Sequence, residues 1–172
     1  MKIAIVYASE TGNTAQIAQA IREGCQGHEI VAFGPLPRDV GEAELIFVGS
    51  WTDKGTCAPA VKEFLQGLHG KRVALFGTLG AWPDSDHAKD CMAAGEALVN
   101  APERRNTVFG SWLCQGKIDP RVLEMMRKVA GDAHPMTPER IARIEEAKKH
   151  PDAADLERAR AFIAAIARSI KG

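Results

Sequence analysis

Short apolar runs alternating with amphipathic helical patterns constrain this chain most. Four runs rich in β-branched residues are Lys2–Tyr7 (KIAIVY), Glu44–Gly49 (ELIFVG), Arg72–Phe76 (RVALF) and Thr107–Leu113 (TVFGSWL), and a weaker one, Glu29–Phe33, lies between the first two. They are continuously apolar, as strands are when a parallel sheet is covered on both faces. Helical spacing fills the gaps, with Ile17, Ala18, Ile21 and Cys25 after the first run and Ala60, Val61, Phe64, Leu65 and Leu68 after the third. Ala88–Val99 is rich in small residues and suits a helix, and Asp152 is placed to cap a last helix bearing Leu156, Ala159, Ile163, Ile166 and Ile170 on one face. Strands alternating with helices predict an α/β fold built of βαβ units, a doubly wound five-stranded parallel sheet. Right-handed crossovers then gather ligand loops at the carboxyl ends of the strands.

Residues 115–151 break that rhythm. Asp119-Pro120 and Thr137-Pro138-Glu139 each set a capping residue before a proline at the first helical position, and His134-Pro135 and His150-Pro151 punctuate the ends. The segment reads as a helical insertion before the last helix, inside one domain spanning 1–172, with Met125 and Met126 expected in the core.

A chain of 172 residues buries a core without disulfides or metals. Its 22 basic and 22 acidic residues leave no net charge, so nothing electrostatic favours nucleic acid or an anionic membrane. Cys25, Cys57, Cys91 and Cys114 form no CxxC pair and have no histidine at ligand spacing, which argues against zinc, and free thiols suit a reducing cytosol. The first apolar run is too short for a signal peptide and no run reaches the ~20 apolar residues of a membrane span. A cytoplasmic protein is expected.

The chemistry concentrates after the first strand, in Ser9-Glu10-Thr11-Gly12-Asn13-Thr14. A phosphate monoester needs many donors at once. Ser9, Thr11 and Thr14 offer hydroxyls, Asn13 an amide, and Gly12 lets the backbone approach. A helix starting near Asn13 would aim its free N–H groups and positive dipole end at the same spot, favouring an anion by ~0.3–1 kcal/mol. Glu10 would repel a phosphate and should turn to solvent. The loop holds no lysine or arginine, which suits a monophosphate gripped by neutral donors, and it lacks GxxxxGK[ST] and GxGxxG. The competing reading is a hydroxyl-rich helix cap with no ligand.

This loop resembles the flavodoxin family, whose FMN phosphate loop has the form [S/T]-x-T-G-N-T. The strand–helix order agrees over residues 1–113 and again at the C-terminal helix. The resemblance implies FMN as cofactor, a sheet order 2-1-3-4-5, and a flavin ring at the ends of strands one, three and four. It implies contacts from Ser50, Trp51, Thr52, Gly55 and Thr56 after strand three, with Trp51 stacked on the ring and Gly55 meeting flavin N5. Trp51 as a core residue is the alternative. After strand four it implies backbone contacts from Thr78, Leu79, Gly80 and Ala81. The only tyrosine is Tyr7, inside the first strand, so the second ring face is left open or covered by Trp82, which is equally a loop-packing residue.

Flavodoxins shuttle electrons, so the resemblance implies redox partner proteins, a reductase and an acceptor enzyme. Typical carriers are strongly acidic, and this chain is neutral. With Cys114-Gln115-Gly116-Lys117-Ile118-Asp119-Pro120 and the insertion, it resembles a sub-branch that includes the small flavoprotein associated with bilirubin reductase. Cys114 is open to a redox role or to being a small core residue, and His87 to proton donation or to being a solvated helix-start residue. A phosphoacceptor receiver domain has the same sheet order but needs acidic residues where this chain has Ala8-Ser9 and Gly49-Ser50. An NAD(P)H-dependent flavin or quinone reductase stays open as the enzymatic alternative, separable from a carrier by NADPH oxidation without a partner.

Overall fold

The computed structural model describes residues 1–129 and 136–171, with the side chains at 126, 127, 129 and 171 outside that description. In chain order the elements are β1 (Lys2–Tyr7), α1 (Asn13–Gly24), β2 (Glu29–Pro35), β3 (Leu45–Asp53), β4 (Thr56–Cys57), α2 (Pro59–Gly67), β5 (Arg72–Leu79), α3 (Asp86–Val99), a 3₁₀ turn (Pro102–Arg104), β6 (Thr107–Gln115), α4 (Pro120–Val129), α5 (Pro138–Ala147) and α6 (Ala153–Lys171). The long strands pair in parallel in the order β2-β1-β3-β5-β6, and β4 is a short antiparallel addition to β3. Counting only the five long strands, this is the expected 2-1-3-4-5.

The continuous apolar runs have a direct structural cause. Ile3, Ile5, Leu45, Phe47, Ala74 and Phe76 face one side of the sheet and pack with Ile17 and Ile21 of α1 and Ile163 and Ile166 of α6. Ala4, Val6, Ile46, Val48, Val73 and Leu75 face the other side and pack with Val61 and Leu65 of α2 and Val99 of α3. Alternate residues point to opposite faces, and both faces are dry. Each fully buried Val, Leu, Ile or Phe contributes roughly 1.5–3 kcal/mol.

The expected strands are right in place and short at their carboxyl ends. β3 runs on to Asp53, β5 to Leu79 and β6 to Gln115. Pairing explains this, because Ser50 stands opposite Gly77, Trp51 opposite Thr78, and Thr78 opposite Cys114. Glycines and polar residues carry no strand signal of their own, but flanking partners satisfy their backbone groups.

Helix starts follow their caps. Ser85 Oγ accepts from the Ala88 N–H at 3.2 Å, Thr137 Oγ1 from Arg140 at 3.2 Å, and Asp119 Oδ1 from Arg121 at 2.7 Å. Asp152 and Asp155 form a reciprocal box: Asp155 N–H donates to Asp152 Oδ1 at 2.8 Å and Asp152 N–H to Asp155 Oδ2 at 2.9 Å. Both helices expected between strand five and the last helix are present as α4 and α5, while His134-Pro135 falls outside the described residues. Ala60, part of the helical spacing after strand three, is exposed on α2, and one residue expected in the core is not there. Met125 is 57% exposed, while Val122 and Leu123 of α4 are half-buried. The side chain of Met126 is outside the description. Among the described residues, no helix is long and apolar enough to cross a membrane.

Candidate functional site

β1 ends at Tyr7, and the chain turns through Ser9–Gly12 into α1. Gly12 occupies the N-cap with φ +89°, a left-handed conformation that strains any residue with a Cβ. Having no side chain, it caps nothing itself, and the Asn13 and Thr14 N–H groups at the start of α1 stay available to an outside acceptor. Ser9 Oγ turns inward and accepts from the Ala15 N–H at 3.3 Å. Thr14 is buried, its hydroxyl 3.1 Å from that of Thr78 at the end of β5. Asn13, 9% exposed, donates its Nδ2 to the Lys117 carbonyl at 2.8 Å. Asn13 and Thr14 therefore spend side-chain hydrogen bonds fastening the loop to β5 and to the segment after β6. Thr11 and Glu10 are exposed, as expected of Glu10.

A solvent-open cleft lies at this carboxyl edge. Glu10, Thr11, Asn13 and Thr14 line it on one side, Trp51 and Thr52 on another, and Thr78, Leu79 and Gly80 form a third part. Three segments expected to meet from the sheet order do meet. Ser9, Gly12, Ser50, Gly55, Thr56, Ala81 and Trp82 are not among its lining residues.

The expected loop after strand three is instead the end of β3 and a hairpin. Lys54 and Gly55 turn with φ of 47° and 82°, the left-handed pair of a tight two-residue hairpin turn, and place Thr52 opposite Cys57 and Asp53 opposite Thr56. Ser50 is structural: its Oγ donates to the Trp51 carbonyl at 2.7 Å and accepts from the Ala58 N–H at 2.8 Å, tying the hairpin to the start of α2. Trp51 is half-buried, lining the cleft while also packing against the core layer under α2. Thr78 and Leu79 belong to β5, so only Gly80 onward is loop. Trp82 stands 44% exposed in the turn before α3, its carbonyl taken by Ser85.

Tertiary structure adds a fourth wall that local sequence patterns do not announce. Gly116, Lys117, Ile118, Asp119 and Val122 also line the cleft. The Gly116 N–H donates to the Leu79 carbonyl at 2.9 Å, extending the β5–β6 pairing past the strands. A Cβ on Gly116 would lie 3.0 Å from Asn13 Nδ2 and 3.2 Å from Thr78 Cβ, so a larger residue would push the three segments apart. Arg121 Nη2 meets Asp119 Oδ2 at 2.6 Å, and the guanidinium lies within electrostatic reach of Glu10; both interactions raise its pKa, the Asp119 bond most. The loop itself has no cation, but the fold brings Lys117 and Arg121 beside it.

The remaining sequence candidates are placed outside this chemistry. Cys114 is 2% exposed, and burial first, then the nearby Asp155 charge, push its thiol up, as suits a small core residue. Burial raises Cys25 to about 11. His87 is exposed on the first turn of α3, with Nε2 3.6 Å from Cys91 Sγ.

An open helix N-terminus, a left-handed glycine before it and a cleft at the carboxyl edge of a doubly wound sheet are features that nucleotide-binding α/β proteins share. The comparisons agree. A family model for the flavodoxin domain matches residues 4–164. The flavodoxin-like domain-containing protein BilS of Clostridioides difficile (strain CD3) is 31% identical over 173 residues, covering 94% of each chain, and the protein of that name from Clostridium symbiosum (strain WAL-14163) is 33% identical over 177 residues, covering 91% of this chain and 90% of its own. Among solved structures, oxidised flavodoxin 2 from Bacillus cereus superposes with a TM-score of 0.59 at 22% identity, over 98% of this chain and 99% of its own. The chain belongs to the flavodoxin family, and its cofactor is FMN.

Proposed function

We propose that this protein is an electron carrier that accepts electrons from a reductase and delivers them to a partner enzyme, with FMN held in the cleft at the carboxyl edge of the sheet. The observation that carries the reading is the convergence of the 9–14 loop, the end of β3 and the end of β5 on that one cleft. Bound FMN supplies one- and two-electron redox chemistry. The residues supply grip and surroundings. The Thr11 hydroxyl and the N–H groups of the first turn of α1 hold the phosphate, with Ser9 and Thr14 bracing the turn. Trp51 stacks on the ring, a contribution of about 0.5–1.5 kcal/mol beyond its buried area. Backbone groups of Thr78, Leu79 and Gly80, which line the cleft, meet the polar ring edge. No side chain acts as an acid or base.

Docking falls to the 116–129 stretch, which lines the cleft at one end and presents Met125 to solvent at the other. A neutral chain docks by specific paired contacts rather than a bulk acidic field. The resemblance to the bilirubin-reductase-associated sub-branch makes a bilirubin-reducing enzyme the first acceptor to test.

Two measurements test the reading. Thr11→Ala should weaken FMN binding by roughly 1–3 kcal/mol, and Trp51→Ala should weaken it and brighten flavin fluorescence; unchanged affinity in both variants places the cofactor elsewhere. Mixed anaerobically with NADPH alone, the holoprotein should stay oxidised and should be reduced only when a reductase is added. Rapid direct oxidation of NADPH would replace the carrier with a stand-alone reductase.

A further inference from the structure

The connection from α5 to α6 carries a buried charge cluster that reaches the cleft. Asp155, 2% exposed, accepts from His150 Nδ1 at 2.5 Å, from the Asp152 N–H at 2.9 Å and from Arg158. Burial opposes the Asp155 charge, but these hydrogen bonds, that from His150 foremost, outweigh it and hold the carboxyl below its ordinary range. His150 is held protonated to a higher pH than usual, chiefly by Asp155. The other charged groups facing it are Glu146 of α5 (Oε1 at 3.6 Å from Nε2) and Asp152 (Oδ2 at 4.0 Å from Nδ1). Lys149 pairs with Glu146 on the outer side, and β6 contributes only the neutral thiol of Cys114, which feels the Asp155 charge.

The backbone of the same histidine leads to the cofactor loop. The His150 carbonyl accepts from the Lys117 N–H at 3.0 Å, and the Lys117 carbonyl accepts from Asn13 Nδ2 at 2.8 Å. One peptide thus joins the α5–α6 connection to the first helical residue after Gly12. We propose that His150 and Asp155 are positioning residues for the FMN site, acting on Asn13 through the Lys117 peptide. This rests on placing the FMN phosphate in the 9–14 loop. A helix cap alone would need only the Asp152–Asp155 box; the added His150 bond fixes the one carbonyl on which Lys117 hangs.

The test is a double-mutant cycle on FMN affinity, read by quenching of flavin fluorescence on the apoprotein. His150→Ala should weaken FMN about five- to tenfold in the wild-type background and less than about twofold once Asn13→Ala has cut the relay. Equal losses in both backgrounds overturn the proposal. Thr11→Ala separates the two levels: if Thr11→Ala and Asn13→Ala both leave affinity unchanged, the phosphate placement and the proposal fall together, and if both weaken it while the cycle is additive, only the proposal falls. Should His150→Ala not fold, the pH dependence decides. Above about pH 7 the phosphate, with its second pKa near 6, stays a dianion, while His150 loses its proton as pH rises through its raised pKa. Affinity should fall over that range in the wild type and stay flat in Asn13→Ala; matching profiles overturn the proposal.

Discussion

The loop after β1 and the segment after β6 meet across the same cleft, yet they are built differently. The first is mostly local: six consecutive residues, a left-handed glycine and the start of α1 create an open helix N-terminus, which the side chains of Asn13 and Thr14 tie to Lys117 and Thr78. The second is held by remote partners. Gly116 hangs on Leu79, Lys117 on Asn13 and His150, and α4 rests on half-buried Val122 and Leu123 while Met125 faces water. A cleft assembled this way can keep one wall constant while the other varies. Local hydrogen bonds are set by neighbouring residues, whereas the second wall depends on helices far along the chain.

The most severe way to break the comparison is to loosen the packing of α6, which supports α1 and the sheet beneath both regions. Ile163 is 1% exposed between α6 and the sheet, and Ile163→Ala should lower stability by about 2–5 kcal/mol, measured by denaturant unfolding. A loss this large at a residue that does not line the cleft, with FMN affinity of the folded protein unchanged, would separate folding from cofactor binding. Next comes Asn13→Ala, which touches both regions by freeing the Lys117 carbonyl and emptying the place beside Gly116. It should weaken FMN by roughly 1–3 kcal/mol, more than the same change at exposed Glu10, in a fluorescence titration.

A smaller and pH-dependent effect sharpens the contrast. His150 has a raised pKa, so its charged pairing with Asp155 is complete below the ordinary histidine value near 6.5 and is lost as pH rises through the raised one. Asp155 has a lowered pKa, so its share is present above the ordinary carboxylate value and lost as pH falls through the lowered one. His150→Gln should therefore cost about 1.5–3 kcal/mol near pH 6, the value of a hydrogen bond to a charged group, with the deficit shrinking toward alkaline pH. Thermal unfolding of wild type and variant across pH 5–9 checks it, and a constant deficit would reassign the bond to packing alone. The smallest expected change in stability is at Met125: exposed as it is, Met125→Ala should stay within about ±0.5 kcal/mol. If that face docks the partner, the same variant slows electron delivery while FMN affinity holds; an unchanged rate removes α4 from the docking surface.

Much of this was legible in the residues themselves. The continuous runs KIAIVY, ELIFVG and RVALF state a sheet covered on both faces, because every side chain in them must leave water whichever way it points. Asp119, Thr137 and Asp152 mark helix starts because a capping oxygen acts within three residues of itself. The T-G-N-T loop shows itself for the same reason: its donors and its left-handed turn lie within one short stretch.

What only the tertiary structure decided was everything set by partners distant in the chain. Gly77, Thr78, Ser50 and Trp51 became strand because neighbouring strands took their backbone groups. Trp51 gained both a core side and a cleft side. Ser50 became a brace for α2 rather than a cleft residue. Asn13 was turned from a free amide into a clamp on Lys117, and Lys117, Asp119 and Arg121 were carried to a loop that contains no cation of its own. Local patterns report short-range sterics and solvent exposure, whereas a hydrogen bond between residues 13 and 117 exists only once the sheet has brought the ends of β1, β5 and β6 side by side.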